Sequence, residues 1–514
     1  MNSIKTENCI AIDFGTSNTA VYVYKHGNYE NPIRESAANY VIPSVAVIDK
    51  NGIIVPDKVI KKQSSKAYIY NVKRILGKVK SQFEDSEIDT GMFHSPLKFD
   101  EYQNPYFEAS YGVGRNKETR NIYPVDVVTE ILKKCKVEAE NTLDNHLEVR
   151  DCVMTIPNYF FDTSKKALKE AARQAGLNVL YFLKEPTAAG IRFISDSNEN
   201  TEIKEGEMVM VFDFGGGTLD LTLMVRNGND FEVKGQGGDP NLGGTKIDKL
   251  FCEYVLQKYK DENGEDLLGE VGSARYKRYR PDLLDLCREF KEQLSSVNSC
   301  DIPLVDFNAE CDDMAVSVEE FNDNVMSVIK PRLDRAINEI VSCVNDINHV
   351  ILVGGSSKIP YIHRYLGNVF SHSKIYNYHN PHTVVVEGAM RVKVNNWYHE
   401  VSESLESCLG FKVSDEYNNS KFQLHLRPGL QIPITITRYF NLSGSNIDVY
   451  RSFNGRERIE GTIRVDQARE EFGRKMVRVR ITCNKDTSVV YSVYSENDRE
   501  IGKLEISPKI KGLN

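Results

Sequence analysis

Two short stretches of this chain share one pattern: residues 11–18 are AIDFGTSN and residues 211–218 are VFDFGGGT. Each begins with apolar residues typical of a buried strand, continues with Asp, Phe and Gly, and is followed by a second β-like run. Glycine lets a backbone come close to a ligand, and successive N–H groups in such turns bind anions. The two copies therefore predict a pair of strand–turn–strand units that bind phosphate groups.

Polar side chains occupy corresponding places in both stretches. Asp13 and Asp213 end the apolar runs, where a carboxylate can hold a hydrated magnesium ion or orient a water molecule beside phosphates. Thr16, Ser17 and Thr218 supply hydroxyl donors. The sequence contains no G-x-x-x-x-G-K-[ST] run, which excludes a P-loop nucleotide site. Two such turns facing each other would bind a polyphosphate from both sides.

Alternating strand-like and helix-like runs surround these turns. The apolar run 349–353 (HVILV) opens onto a Gly-Gly pair. Residues 163–175 have the apolar spacing of a helix that ends at Gly176, and residues 282–294 have similar spacing. This alternation predicts an α/β fold for residues 1–397.

The sequence changes character after Trp397. Residues 408–514 contain short β-like runs separated by clusters of Gly, Asn, Asp and Ser, which predicts a small all-β sandwich domain. The stretch between the two regions, residues 398–407, is polar and acidic. We therefore expect it to be a linker.

Composition narrows the classes of function. With 514 residues, 40% apolar and 27% charged, the chain is typical of a soluble globular protein. A net charge of −8 does not favour nucleic acid or an anionic membrane as partner. The polar N-terminus lacks the apolar stretch of a secretory signal, and the ten cysteines form no Cys-x-x-Cys pair. These features predict a cytoplasmic protein with reduced thiols.

Residues 275–280 (RYKRYR) interleave basic and aromatic side chains just before the helix-like run 282–294. Such a pattern can stack on nucleic acid and neutralise its charge. In an acidic chain, a solvated surface is the favoured interpretation.

Several longer blocks make the chain resemble the seventy-kilodalton heat-shock chaperone family, within the actin–hexokinase ATPase superfamily. The resemblance extends from about residue 8 to residue 395. It implies a two-lobed actin-like ATPase domain in residues 1–397 that uses ATP and Mg2+. The blocks are IAIDFGTSN at 10–18, VKRILG at 72–77, IPNYFFD at 156–162, AGLNVLYFLKEPTAAG at 175–190, VFDFGGGTLD at 211–220, GDPNLGGTKID at 238–248 and ILVGGSSKIP at 351–360.

The resemblance also implies roles for individual residues. Lys73 corresponds to a lysine that positions the γ-phosphate and the attacking water, and Thr218 to a hydroxyl at the γ-phosphate. Glu185 and Asp213 correspond to acidic residues that organise water molecules, and Asp13 and Asp213 would hold the metal through water. The implied cofactor-binding residues, phosphate turns first and nucleoside lining second, are Gly15, Thr16, Ser17, Asn18, Gly215, Gly216 and Gly217, and then Gly243, Gly244, Lys291, Ser295, Gly354, Gly355, Ser356 and Lys358.

Three positions depart from the family pattern. Arg288 and Glu292 stand where the family usually has a glutamate and an adenine-stacking arginine. His382 replaces the aspartate of the family's NPDE motif. The comparison therefore predicts an altered pocket for the base beside phosphate turns that match the family.

The C-terminal region resembles the family's β-sandwich peptide-binding domain, most clearly in LRPGLQIPITITRYF at 426–440. Phe411 and Phe440 fall where pocket-lining residues would lie, and ordinary sandwich core is the alternative interpretation. The linker lacks the family's leucine-rich run. The sequence ends soon after its last β-like run, which predicts a member without the α-helical lid.

The leading hypothesis is a heat-shock-chaperone-like ATPase whose nucleotide state controls the binding of unfolded or client polypeptides. The polar linker and the expected lack of a lid motivate an alternative, a nucleotide-responsive adaptor or sensor that holds one specific protein partner. A sugar-kinase-type phosphotransferase is a third hypothesis, which the VKR and EPTAA blocks disfavour. Neither a membrane nor nucleic acid is expected as a partner.

Overall fold

The computed structural model divides into two compact units. Residues 1–229 and 237–398 form the first unit, and residues 230–236 and 399–514 form the second. The structure describes residues 9–33, 41–57, 63, 65–85, 87–143, 147–158, 160, 162–195, 203–227, 230–309, 311–341, 346–377, 381–395, 401–402, 408–414, 420–426, 434–441, 446–453, 456–464, 476–483, 489–494 and 500–506.

The part of the first unit that precedes residue 196 contains strands and helices in alternation. The strands are Cys9–Phe14 (β1), Asn18–Lys25 (β2), Asn28–Glu30 (β3), Ile42–Pro43 (β4), Ala46–Asp49 (β5), Gly52–Ile54 (β6), Ala67–Ile69 (β7), Leu97–Phe99 (β8), Pro105–Tyr111 (β9), Glu118–Ile122 (β10), Asp151–Ile156 (β11) and Asn178–Lys184 (β12). The helices are Ser81–Asp85 (α1), Pro124–Thr142 (α2), Asp162–Gln174 (α3) and Glu185–Ser195 (α4), with 3-10 turns at Val72–Arg74, Thr90–Met92 and Gly114–Asn116.

The same alternation continues up to residue 395. The strands are Met208–Phe214 (β13), Leu219–Asn227 (β14), Asp230–Asp239 (β15), Ser299–Ile302 (β16), Met314–Ser317 (β17), His349–Val353 (β18) and Lys374–Asn377 (β19). The helices are Gly244–Asn263 (α5), Ala274–Gln293 (α6), Val318–Phe321 (α7), Ser327–Val341 (α8), Pro360–Val369 (α9) and Val384–Asn395 (α10), with a π turn at Asn322–Met326 and a 3-10 turn at Gly355–Lys358.

Two sheets of the first unit repeat one strand order. The first sheet contains β12-β11-β1-β2 and the second contains β19-β18-β13-β14, in that order. In each, the third strand runs parallel to the strand before it and antiparallel to the strand after it. Asp13 and Asp213 therefore hold equivalent places, opposite Thr155 and Val353 of the parallel neighbours. The mixed α/β fold expected from the sequence is confirmed.

Two helices of the first unit pack crosswise on these sheets. Helix α4 follows β12 of the first sheet but packs on β13 and β14 of the second, whereas α10 follows β19 of the second sheet and packs on β1, β2 and β11 of the first. The helices touch where Gly388 lies so close to Ala188 that a Cβ on residue 388 would clash with the Ala188 carbonyl oxygen. Arg192 and Glu387 form an ion pair at this crossing, with Nε and Oε1 2.9 Å apart.

Each sheet has its own hydrophobic core. Ile10, Ile12 and Phe14 of β1 lie in a cluster with buried side chains of α2 and α3. Phe212 and Phe214 of β13 lie in a second cluster with residues of α5, α6 and α8. Burial of this apolar surface is the main force that holds the two aspartate-bearing strands in place. Within the described residues, no helix is long and apolar enough to cross a membrane.

The helix boundaries test the spacing arguments. Helix α3 agrees with the predicted helix 163–175, and Gly176 ends it with a positive φ of 76°. Helix α6, by contrast, begins eight residues before the predicted 282–294, so the basic and aromatic segment 275–280 lies inside a helix. Ser273 caps this helix by accepting a hydrogen bond from the Tyr276 amide. Pro281, which usually marks a boundary, stands in its interior.

The described part of the second unit consists of strands. Residues 230–236 of β15 belong to this unit. Its other strands are Val401–Ser402 (β20), Cys408–Ser414 (β21), Ser420–Leu426 (β22), Ile434–Asn441 (β23), Asn446–Phe453 (β24), Arg456–Arg464 (β25), Met476–Cys483 (β26), Val489–Tyr494 (β27) and Glu500–Ile506 (β28). Two antiparallel sheets form, in the orders β22-β21-β24-β25 and β23-β26-β27-β28. The sandwich arrangement of these sheets stays a prediction.

Candidate functional site

The first glycine turn joins β1 to β2 and is held by Ser44. Ser44 Oγ donates to the Gly15 carbonyl oxygen over 2.9 Å, and the Ser44 amide donates to the Ser17 carbonyl oxygen over 2.8 Å. Gly15 is so close to the backbone of Asn18 that a Cβ on residue 15 would clash with the Asn18 carbonyl oxygen. The turn is therefore fixed from one side and has no room for a larger residue.

The second glycine turn joins β13 to β14 and is held by the start of α5. The Gly215 amide donates to the Thr218 carbonyl oxygen, and the Gly244 amide donates to the Gly215 carbonyl oxygen, both over 3.0 Å. Ser356 Oγ donates to the same Gly215 oxygen over 2.8 Å. Four of the residues that the sequence placed near a nucleotide, from three separate segments, thus meet at one turn.

The two turns face each other. A Cβ on Gly216 would lie 2.8 Å from Ser17 Oγ, and a Cβ on Gly217 would lie 2.6 Å from Thr16 Oγ1. Glycine is required on the second turn because any side chain there would displace the hydroxyls of the first. The structure thus places the two turns opposite one another.

Below the turns lies a buried cluster of charged side chains. Lys73, in the 3-10 turn after β7, donates from Nζ to Glu185 Oε1 over 2.7 Å. Asp13 accepts a hydrogen bond from Thr155 Oγ1 over 2.7 Å. Asp213 is buried at the end of β13. Three of the four residues for which the resemblance implies catalytic roles are therefore buried close to the turns.

Burial raises the pKa of the carboxyls in this cluster. It raises the pKa of Glu185 to about 8, with repulsion from Asp13 and Asp220 adding to the effect. Burial also raises the pKa of Asp213 well above the ordinary value of 3.8, and repulsion from Glu185 adds to this effect. The carboxylates of Glu185 and Asp13 raise the pKa of Lys73 against the opposing effect of burial, so its ammonium stays charged. Because a nearby positive charge favours the ionised form of a carboxyl, the cluster is suited to bind a further cation.

The oxygen-rich cluster fits magnesium, which prefers oxygen ligands and usually keeps several of its waters. Within the described residues, no three His, Cys, Asp or Glu side chains converge as direct ligands of one metal ion. Asp13 and Asp213 therefore suit a metal that is held through its waters rather than by a protein cage.

Gly354 positions Asp213 from the side of β18. Its φ is +81°, a left-handed conformation that glycine adopts without strain. A Cβ there would lie 2.8 Å from Asp213 Oδ1 and would clash with the Phe214 carbonyl oxygen. The glycine pair that follows HVILV is thus needed for close packing against the aspartate.

The expected nucleoside-lining residues lie partly on α6. Lys291 Nζ donates to Asp248 Oδ1 over 2.6 Å, and Arg288 Nε donates to the other oxygen of Asp248 over 3.2 Å. A Cβ on Gly244 would lie 3.4 Å from Lys291 Nζ. Glu292 is exposed. Arg288, one of the three residues that differ from the family pattern, thus joins α6 to α5 through Asp248. Asp248 was not identified from the sequence.

The remaining nucleoside-lining candidates fall into two places. Ser295 Oγ contacts the Lys291 carbonyl oxygen at 3.4 Å. Lys358 Nζ lies 3.4 Å from His382 Nε2, and a Cβ on Gly355 would lie 3.2 Å from the His382 ring. Burial and the Lys358 ammonium lower the pKa of His382 to about 4, so this ring is neutral at pH 7.

Sequence reasoning missed Asp220 and Asn158. Thr218 Oγ1 donates to Asp220 Oδ2 over 2.5 Å, and the Asn158 amide donates to Asp220 Oδ1 over 2.8 Å. Residues two apart on a strand lie on the same face, so the spacing of Thr218 and Asp220 in GGGTLD could have revealed the first contact. The Asn158 contact joins segments far apart in sequence and had no such signal.

The two candidate peptide-pocket residues lie on strands of the second unit. Phe411 is on β21 opposite Val449, and Phe440 is on β23 opposite Val477. Their side chains fall outside the described residues.

Two comparisons relate this chain to known proteins. The sequence model of the family described as "Hsp70 protein" matches residues 9–403. The chain is also similar to the "Heat shock cognate HSP70 protein" of Trypanosoma brucei brucei, with 30% identity over 453 residues. That alignment covers 86% of this chain and 65% of the relative's length. Since the family model spans most of the chain, and both glycine turns lie within it, this chain belongs to the Hsp70 family.

Proposed function

We propose that the first unit binds and hydrolyses ATP. The observation that carries the proposal is the opposition of the two glycine turns beside the buried Lys73–Glu185 pair. The turns provide backbone and hydroxyl donors for the phosphates, and Lys73 provides a fixed positive charge. In phosphoryl transfer, positioning and charge neutralisation account for most of the catalysis.

Within this proposal, the side chains beside the turns have defined tasks. Lys73 contacts the γ-phosphate, Thr218 brings its hydroxyl to that group, and Glu185 and Asp213 orient the attacking water. Mg2+, held through water by Asp13 and Asp213, would supply charge neutralisation at the phosphates when bound. The remaining glycines of both turns, with Asn18, approach the phosphates, and the residues around Gly243, Gly244, Lys291, Gly354 and Lys358 line the nucleoside.

Single-turnover hydrolysis tests the proposal. Wild type and Lys73→Ala are each mixed with a substoichiometric amount of radiolabelled ATP and excess Mg2+, and release of phosphate is followed. We expect Lys73→Ala to be at least about a hundredfold slower, since the group that neutralises the γ-phosphate is lost. Lys169→Ala, on an exposed position of α3, is the matched control and should equal wild type. Wild-type hydrolysis no faster than the spontaneous reaction would refute the enzymatic proposal.

We further propose that residues 408–514 form a β-sandwich that binds unfolded or client polypeptides under the control of the nucleotide. Phe411 and Phe440 lie in the pocket of this sandwich. Residues 398–407 are the linker between it and the ATPase domain, residues 1–397. Family membership and the two antiparallel sheets of the second unit support this proposal.

Fluorescence anisotropy of labelled extended peptides tests the second proposal, with ATP or ADP present. We expect the affinity or the dissociation rate for peptide to change at least about threefold between the two nucleotides, because allosteric couplings usually amount to 1–3 kcal/mol. Peptide binding that is equal with ATP and ADP would contradict control by the nucleotide, and lack of any binding would contradict the client proposal.

A further inference from the structure

Lys184 is a buried lysine that the proposed chemistry does not use. It is the last residue of β12 and directly precedes Glu185, the first residue of α4. Its side chain is only 2% exposed. Its Nζ donates to the carbonyl oxygens of Pro157 and Asn158 over 3.2 and 3.0 Å. Burying an ammonium is costly unless it is hydrogen-bonded, so these contacts hold the segment after β11 firmly.

The segment that Lys184 holds reaches into the second sheet. The Asn158 amide donates to Asp220 Oδ1, and the Asn158 side-chain amide donates to the Leu221 carbonyl oxygen over 3.0 Å. Asp220 in turn accepts the hydroxyl of Thr218. A continuous series of hydrogen bonds therefore leads from Lys184 in the first sheet to Thr218 beside the second glycine turn.

Lys184 also balances charge at this place. Asp220 is buried, and burial raises the pKa of its carboxyl group. Hydrogen bonds from Thr218 and Asn158 and the charges of Lys73 and Lys184 oppose this rise in pKa. Four carboxyl groups, those of Asp13, Glu185, Asp213 and Asp220, thus share this region with the ammonium groups of Lys73 and Lys184.

We propose that Lys184 is a positioning residue for ATP hydrolysis: it fixes the Pro157–Asn158 segment, so that Asn158 holds Asp220 and Asp220 holds the Thr218 side chain in place beside the second glycine turn. The inference rests on the proposed function. The hydrogen bonds described for Lys184 are made to backbone carbonyl oxygens of the protein, and the proposed function gives it no contact with the nucleotide. Its loss should therefore lower the rate of the chemical step and leave the affinity for ATP almost unchanged.

Lys184→Met removes the ammonium but keeps a side chain of similar length. In single-turnover hydrolysis we expect the rate constant to fall at least about tenfold, as a small misplacement of a reacting group does. The Kd for Mg2+–ATP, measured by titration with a fluorescent analogue, should stay within about threefold of wild type. Lys169→Met makes the same exchange at an exposed position and should change neither quantity.

A double-mutant cycle with Thr218→Val separates positioning from general damage. If Lys184 acts through Thr218, the variant Lys184→Met/Thr218→Val should be as slow as Thr218→Val alone. If the two substitutions instead lowered the rate constant by independent factors, so that the double variant showed their product, the inference would be overturned. A wild-type rate constant in Lys184→Met would overturn it as well. A wild type that does not hydrolyse ATP would instead refute the proposed function.

A second pair of variants keeps the inference testable if Lys184→Met does not fold. Lys184→Arg keeps the charge and several donors, whereas Lys184→Gln keeps only a shorter neutral donor. We expect Lys184→Arg to hydrolyse ATP faster than Lys184→Gln at equal ATP affinity. Equal rate constants for the two variants would overturn the inference.

Discussion

At the scale of single residues, the site depends on positions that lack a side chain. Gly354 has a φ of +81° and would place a Cβ 2.8 Å from Asp213 Oδ1. Gly354→Ala should therefore lower the free energy of unfolding by about 1–3 kcal/mol and displace the Asp213 carboxylate. Urea denaturation measures the loss of stability, and single-turnover hydrolysis measures the displacement.

Gly367→Ala is the matched control for that exchange. Gly367 lies within α9, and a Cβ there would meet no atom within 4 Å. Because alanine favours a helix over glycine, this variant should gain up to about 1 kcal/mol and hydrolyse ATP like wild type. A Gly354→Ala protein as stable as Gly367→Ala would contradict the argument from close packing.

The sequence identified residues whose contacts are local or repeated. Asp13, Asp213 and the turn glycines were predictable because the same pattern occurs twice, and Lys73 and Glu185 because their blocks resemble a family. Asp248 and Asn158 were not predictable. Their partners, Lys291 and Asp220, lie more than forty residues away along the chain. The local spacing of apolar residues therefore gives no indication of these contacts.

At the scale of elements, α7 offers a test that depends on pH. Glu320 accepts hydrogen bonds from the Ser317 amide and from Lys258 Nζ, the latter over 2.6 Å. The Lys258 ammonium and the Ser317 amide lower the pKa of Glu320 from 4.5 to about 2. A carboxyl whose pKa is lower in the folded state stabilises the fold above its ordinary pKa, and this contribution is lost as the pH falls toward the folded-state value.

Glu320→Gln should therefore be less stable than wild type by about 0.5–1 kcal/mol at neutral pH, a modest amount because the ion pair is partly exposed. The difference should shrink as the pH falls from 4.5 toward 2. Urea denaturation at several pH values measures it. The neighbouring exposed residue provides the control Glu319→Gln, which should match wild type throughout. A Glu320→Gln deficit that is the same at low and neutral pH would contradict the ionic origin.

Element boundaries show where local rules reach their limit. Helix α3 begins and ends as its spacing predicted, because Gly176 supplies a left-handed stop. Helix α6 begins at Ala274 although Pro281 is a strong boundary signal. There the Ser273 cap and the packing of Leu283, Leu284 and Cys287 in the second core prevail over the local preference of proline.

At the scale of the whole first unit, ion pairs connect the segment 87–94 to α6 and α8. Arg280 NH2 and Asp89 Oδ2 are 2.7 Å apart, and Arg332 NH1 and Glu87 Oε2 are 3.0 Å apart. These pairs join the parts of the chain that carry the two glycine turns. Arg280→Met should weaken this connection and speed the release of nucleotide by roughly tenfold, the effect of about 1.4 kcal/mol.

Stopped-flow displacement of a fluorescent ATP analogue measures this release. Arg173→Met is the control, because Arg173 pairs with Glu170 on the same helix and is well exposed. It should leave the rate of release unchanged. High salt should reduce the difference between Arg280→Met and wild type only slightly, since Arg280 is buried and little screened. Equal release rates for both variants would show that the ion pairs do not restrain the nucleotide.

The crossing of α4 and α10 bears on how the chain could be divided. Each helix leaves the sheet that precedes it and covers the other sheet, so neither half of the first unit contains its own complete set of layers. A backbone cut between residues 195 and 203 would give two fragments that each lack a helix which the other supplies. We therefore expect such fragments to assemble into one complex when produced together and to be insoluble when produced apart, which makes this position a natural site for a split reporter.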